Sequence, residues 1–142
     1  RFFTAYGPWG RPDMALYKFT ENIINEIEIE VYNDGNMSRD FTYIDDIVDG
    51  VIIALESMEH GKNEIYNIGY GERVQLMDFV REIEKNLERE AIIRYTPMHP
   101  ADNQDTWSDT TKLQALGYKP KVSMQEGIAN FVEWYKTYHK VN

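Results

Sequence analysis

The sequence has no cysteine, which removes disulfides, thiolate nucleophiles and cysteine-ligated metals from consideration. Basic residues are scarce: 15 Lys and Arg stand against 24 Asp and Glu, a formal net charge of −9. A body this acidic repels phosphate backbones and argues against general nucleic-acid binding, but it leaves room for a small phosphorylated ligand held by one or two local arginines. No apolar run approaches ~18 residues, so no helix is expected to cross a membrane. His60, His99 and His139 lie far apart without ligand spacing, and nothing resembles a zinc or calcium site. Gly69-Tyr70-Gly71 lacks the third glycine and the later acidic residue of a dinucleotide fingerprint, and Ser38 and Ser108 lack a nucleophile-elbow context.

What is present is enough apolar material for one core. Hydrophobic residues make up 42% of 142 residues and aromatics 13%, so one domain is expected rather than disorder. The start, Arg1 to Tyr6 followed by Gly7-Pro8, reads as a buried strand and its exit loop. Leu16, Phe19, Ile23 and Ile24 predict a helix over roughly residues 13–25 with Asp13 as its cap. Ile27, Ile29 and Val31 alternate with Glu28 and Glu30, which predicts a half-buried strand. A turn at residues 33–36 leads to a short strand over Arg39 to Tyr43. The stripe Ile44, Ile47, Val48, Val51, Ile52, Leu55 and Met58 predicts a helix ending near Gly61, with Asp45 and Asp46 favoured by the dipole of its first turn. Strands are expected at Glu64–Ile68 and Ala91–Tyr95, with a helix carrying Leu76, Phe79, Val80, Ile83 and Leu87 between them. A polar loop over 96–108 follows, then a short helix capped by Asp109 and stopped by Gly117. The last helix has a Ser123/Glu126 capping box and an inner face of Ile128, Phe131, Val132, Tyr135 and Tyr138. The fold class is α/β, mixed α+β in the part present.

The segment Arg39-Asp40-Phe41-Thr42-Tyr43-Ile44-Asp45-Asp46 gathers a cation, aromatics and acids between a turn and a helix start. Arg39 is either a planar fork for a phosphate or carboxylate, or one half of a salt bridge that anchors the turn. His99 sits in the 96–108 loop and is a further candidate; His60 and His139 suit helix ends.

At this octapeptide the chain resembles the C-terminal part of the extended short-chain dehydrogenases/reductases, in particular the NAD-dependent nucleotide-sugar epimerases and dehydratases. Arg1 to Pro12 is similar to the family's R-x-F-x-x-Y-G-P-x-x-R-P segment, Tyr66-Asn67-Ile68-Gly69 to its Y-N-I-G strand, and Leu116-Gly117-Tyr118-Lys119-Pro120 to its L-G-[WY]-x-P. Within the family, Val31 to Phe41 and Pro12-Asp13-Met14-Ala15 resemble the UDP-glucuronate 4-epimerases. The resemblance implies a UDP-sugar substrate interconverted between glucuronate and galacturonate by transient oxidation at C4, with NAD as cofactor, in a cytoplasmic homodimer. It implies substrate contacts at Thr4 and Arg11 near the sugar carboxylate, at the backbone of Glu30 and Tyr32 for uracil, at Arg39 for the diphosphate, and at Asp102 for the ribose. His99 stands where relatives put a phosphate-binding Arg or Gln, and Ala101 stands where they usually have Gly. Phe2 and Phe3 would approach the nicotinamide end of NAD, mostly through backbone.

Two family elements do not occur here. One is the Gly-rich turn for NAD. The other is the Tyr-x-x-x-Lys pair, since Tyr6, Tyr32 and Tyr135 are followed at the fourth position by Gly10, Asn36 and His139. Residues 1–142 are therefore expected to be a UDP-sugar-binding segment without a catalytic residue of its own, with the NAD-binding Rossmann domain upstream, and to be inactive alone. The alternatives are another UDP-sugar epimerase, dehydratase or decarboxylase of the family, or a binding module that keeps the scaffold. Strand 1–6 is expected to have its parallel partners upstream, which would leave an unpaired edge, exposed aromatics and a tendency to self-associate or to disorder at the N-terminus.

Overall fold

Three amphipathic helices and two parallel strand pairs build the core. The computed structural model describes residues 1–58, 63–98, 100 and 102–141. Its elements in order are β1 (Thr4–Tyr6), α1 (Ala15–Ile24), β2 (Ile29–Tyr32), a 3-10 turn (Asn33–Gly35), β3 (Ser38–Arg39), β4 (Phe41–Tyr43), α2 (Ile44–Glu56), β5 (Val74–Gln75), α3 (Leu76–Leu87), β6 (Ile93–Thr96), α4 (Thr111–Gln114) and α5 (Met124–His139). β1 pairs in parallel with β4, β2 in parallel with β6, and β3 antiparallel with β5. Leu16, Phe19 and Ile23 of α1, Phe79, Val80 and Ile83 of α3, and Ile128, Phe131, Val132 and Tyr135 of α5 bury one face of each helix against these strands. At the centre Phe41 stacks on Phe79 at 3.9 Å, and Tyr6 meets both rings edge-on. A smaller core of Ile47, Ile68, Leu113 and Tyr118 lies under α2.

Several sequence expectations are corrected. The partners of β1 lie within this chain: Thr4 sits opposite Phe41, and on the other side Phe3 N donates to Ile68 O (3.1 Å) while Ile68 N donates to Arg1 O (2.9 Å). The expected strand Glu64–Ile68 is reduced to that one bridge at Ile68. Asp13 does not cap α1, because its carboxylate is taken by Arg11; the helix starts at Ala15 after Met14, with no side-chain cap bond. The strand expected over 39–43 breaks at Asp40, whose side chain turns inward and is fully buried. Ile27 lies outside β2 and is exposed. Asp109 accepts from Thr111 N at 3.0 Å, and the short helix closes at Gln114, before Gly117. Ser123 Oγ accepts from Glu126 N at 3.2 Å, as the capping motif requires. Tyr138 is exposed and stacks on Trp134 rather than entering the core. Gly61 and His60 lie outside the described residues.

α2 shows the limit of a periodicity argument. Ile47 is buried, but Val48, Val51, Ile52, Leu55 and Met58 are exposed, since no described residue packs over that side. Asp46 does more than complement the helix dipole: buried, it accepts from the backbone N–H groups of Lys121 (2.8 Å) and Val122 (3.1 Å), tying α2 to the approach of α5.

Gly127 lets α5 close on β1. A Cβ there would fall onto the Tyr6 hydroxyl and come within 2.8 Å of its Cζ and 2.9 Å of Tyr43 Cδ2. Alanine gains helix propensity but overpacks two buried rings, so Gly127→Ala is expected to destabilise by about 2 kcal/mol. Urea unfolding measures this; an equal or higher midpoint would show that the rings give way freely.

Candidate functional site

The sheet ends and α1 enclose a cleft. Its walls come from the start of α1 (Met14, Ala15, Lys18, Phe19), from β2 (Glu30, Tyr32), from β3 and β4 (Arg39, Phe41), and from Thr4, Asp13, Met37, Leu76 and Asp102. The volume is about 430 Å³, within the range of small-molecule sites, ~300–1,000 Å³. The floor is apolar and the rim is charged.

Five sequence-predicted residues share this cleft: Thr4, Glu30, Tyr32, Arg39 and Asp102. Arg11, Phe2 and Phe3 line an adjoining groove, together with Gly7 to Gly10 and Ile44, and Thr4 and Met14 belong to both. His99 and Ala101 lie outside the described residues.

Each group has a definite setting. Arg39 follows the turn in β3 and is largely buried. Its Nη1 donates to Ser38 O (2.8 Å) and Gln104 O (3.0 Å), and its Nη2 to Asp102 Oδ1 (2.8 Å). The guanidinium thus anchors the 102–104 loop and lines the cleft at once. Asp102 Oδ1 also accepts from Asn103 N at 2.9 Å.

In β2, Ile29 N donates to Ile92 O (2.8 Å), so alternate residues face β6. Glu30 and Tyr32 therefore turn their backbone N–H and C=O toward the other edge. The Glu30 carboxylate pairs with Arg94. Arg11 Nε donates to Asp13 Oδ1 at 3.0 Å, and that hydrogen bond holds the Asp13 carboxyl below the ordinary carboxylate range. Phe3 spends its backbone N–H on Ile68, while Phe2 is exposed. Gly7 has φ +142°, and a Cβ there would meet Ile44 Cγ2 at 2.7 Å, so only glycine turns the chain from β1 into the Arg11 loop.

Sequence reasoning overlooked Lys18, which lines the cleft, and Asp40, which holds the elements around it. The signal for Lys18 was its place between Leu16 and Phe19, whose side chains are buried. For Asp40 the sequence carried no distinguishing signal, since it lies between Arg39 and Phe41 in a stretch rich in charge.

Comparison with known proteins shows what the chain is similar to. Residues 1–69 match the NAD dependent epimerase/dehydratase family. A probable UDP-glucuronate 4-epimerase of Rhizobium meliloti is 45% identical over 95% of this chain and 45% of its own length. A UDP-glucuronate 4-epimerase of Thermodesulfobacterium geofontis is 38% identical over 96% of this chain and 42% of its own. The structure of the UDP-glucuronic acid 4-epimerase of Bacillus cereus, in complex with UDP-glucuronic acid and NAD, superposes with a TM-score of 0.90 at 33% identity, over 97% of this chain and 44% of that one. The chain spans about half the length of the curated relatives it matches. Among the described residues no helix is long and apolar enough to cross a membrane. Residues 1–69 are those of an NAD dependent epimerase/dehydratase family domain, and the fold of the chain is that of the C-terminal part of the short-chain dehydrogenase/reductase epimerases.

Proposed function

We propose that residues 1–142 form the nucleotide-sugar-binding part of an NAD-dependent epimerase that interconverts UDP-glucuronate and UDP-galacturonate, as a cytoplasmic homodimer in its full-length form. The observation that carries this reading is the single cleft that gathers Thr4, Glu30, Tyr32, Arg39 and Asp102. The outward backbone edge of Glu30 and Tyr32 suits the uracil amide pattern. Arg39, already fixed by Asp102 and two carbonyls, presents its remaining N–H groups without further loss of side-chain entropy. Asp102 is within reach of a ribose hydroxyl. Thr4, at the junction of cleft and groove, and Arg11 in the groove stand on the sugar side.

The chemistry NAD supplies in such enzymes is acceptance and return of the hydride at the sugar C4. The residues present fit only one edge of that cofactor: the groove beside Phe2 and Phe3 offers a wall, and the sequence has neither a Gly-rich turn nor a Tyr-x-x-x-Lys pair. The contribution of these residues is to bind and orient the sugar nucleotide, and no turnover is expected from residues 1–142 alone.

An NMR titration tests the reading. UDP and UDP-glucuronate are expected to give saturable shifts at Tyr32, Arg39 and Asp102, with Arg39→Ala weakening both by about tenfold or more. UDP-glucose binding as tightly as UDP-glucuronate would move the assignment to another sugar of the family. No binding to a folded sample, or measurable epimerisation by these residues alone, would overturn it.

A further inference from the structure

The charges around the cleft are not all paired. Each of its three carboxylates touches a cation: Asp13 is held by Arg11, Glu30 by Arg94, which Glu28 shares at 2.9 Å, and Asp102 by Arg39. Arg39 is further occupied by the carbonyls of Ser38 and Gln104. The remaining charge on the wall is Lys18. Among the described residues its ammonium has no ion pair or side-chain hydrogen bond, although Glu21 stands three residues further along the same helix. Lys18 is therefore the cation on the cleft wall that the described residues leave unpaired, in a chain whose net charge is −9.

We propose that Lys18 is the cation that meets the phosphoryl oxygens of a nucleoside diphosphate in this cleft. The inference rests on the nucleotide-sugar reading and adds a residue to it. Arg39 and Asp102 together are neutral, so the pair alone does little to offset the charge of a diphosphate. Lys18 supplies a positive charge that no described carboxylate takes up, from α1, a different element of the cleft wall from the β3 that carries Arg39. Its ammonium is a point charge on a flexible stem, suited to an anion whose two phosphoryl groups rotate. Because Lys18 is exposed and its side chain makes no bond among the described residues, its replacement does not disturb the core.

The test compares the chain with Lys18→Met and Lys18→Gln, titrated with UDP, pyrophosphate and uridine at low ionic strength. Lys18→Met keeps most of the apolar stem and removes the charge. UDP and pyrophosphate affinity are expected to fall about tenfold in both variants, with a weaker salt dependence, while uridine affinity stays unchanged. Lys18→Arg is expected to restore most of the loss. If the parent chain binds UDP and both variants bind it equally well, the Lys18 inference falls and the nucleotide-sugar reading stands. If pyrophosphate binds in a Lys18-dependent way but UDP binds no better than pyrophosphate, the anion site stands and the nucleotide reading falls. If a folded parent chain binds neither UDP nor pyrophosphate, both fall.

Discussion

Asp40→Ala is expected to lower the unfolding free energy by about 4 kcal/mol, the largest effect of any single side chain considered. The carboxylate is fully buried and accepts five hydrogen bonds: from Tyr70 N (2.9 Å), Gly71 N (3.1 Å), Ser108 N (3.0 Å), Thr42 Oγ1 (3.2 Å) and Ser108 Oγ. It thereby joins the break between β3 and β4 to the 69–71 loop and to Ser108. Alanine would strand the N–H groups of Gly71 and Ser108 in a space that water reaches poorly; Tyr70 N would keep Thr42 Oγ1 at 2.9 Å. Asparagine keeps the shape but must aim its NH₂ at N–H donors whichever way it turns, so a cost of about 2 kcal/mol is expected from Asp40→Asn. Urea unfolding followed by circular dichroism gives both numbers. Hydrogen exchange gives the local consequence: faster exchange at Gly71 and Ser108. A loss below about 1 kcal/mol for Asp40→Ala would show that these donors find other partners. Total stabilities of small domains are about 5–15 kcal/mol, so this change removes much of the margin. It also loosens Arg39, the next residue, and through it the wall of the cleft.

The sequence made some of this legible and hid the rest for physical reasons. α3 and α5 could be read because their apolar spacing coincides with what is buried: Phe79, Val80 and Ile83, and Ile128, Phe131 and Val132. The stripe of α2 was equally clear, yet most of it is exposed, because periodicity identifies an apolar face and says nothing of what covers it. The pairing of β2 with β6 joins residues 64 positions apart, as Glu30 opposite Arg94 shows, and no local signal records it. Asp13 had the form of a helix cap, but Arg11 two residues earlier competed for the carboxylate and won. Asp40 looked like one more acid in a charged stretch; only the fold brings Tyr70, Gly71 and Ser108 to it. At the site, five residues named from the sequence share one cleft: Arg39 was a candidate on its chemistry, and Thr4, Glu30, Tyr32 and Asp102 through resemblance alone. Lys18 stayed hidden because what marks it is its having no side-chain partner among the described residues, and partners are a property of the fold.

Stability is expected to fall steeply above about pH 10, with tyrosine as the cause. Tyr6 and Tyr118 are pushed well above their ordinary range, chiefly by burial, and Tyr135 is pushed up to about 12, again chiefly by burial. The sign follows from the protons. Between the unfolded value near ~10 and the raised folded values, the folded chain retains protons that the unfolded chain has released, so each further rise in pH favours unfolding. The stabilisation is complete below about pH 10 and is lost above it, at about 1.4 kcal/mol per pH unit for each such tyrosine. Tyr6 and Tyr118 together give a slope of about 3 kcal/mol per unit, enough to exhaust a typical margin by about pH 12. Two variants separate this from general alkaline damage. The Tyr6 hydroxyl is buried with no hydrogen-bond partner among the described residues, so Tyr6→Phe is expected to match or exceed the parent at pH 7 and to remove about 1.4 kcal/mol per unit from the alkaline slope. The Tyr118 hydroxyl donates to Gly69 O at 3.0 Å. Tyr118→Phe should therefore cost about 1 kcal/mol at pH 7 and flatten the slope by the same amount. Urea midpoints measured from pH 7 to 11.5 decide between the outcomes. A parent slope that Tyr6→Phe leaves unchanged would mean that the buried ring reaches water before the chain unfolds, and that α5 lifts from β1 as a separate step.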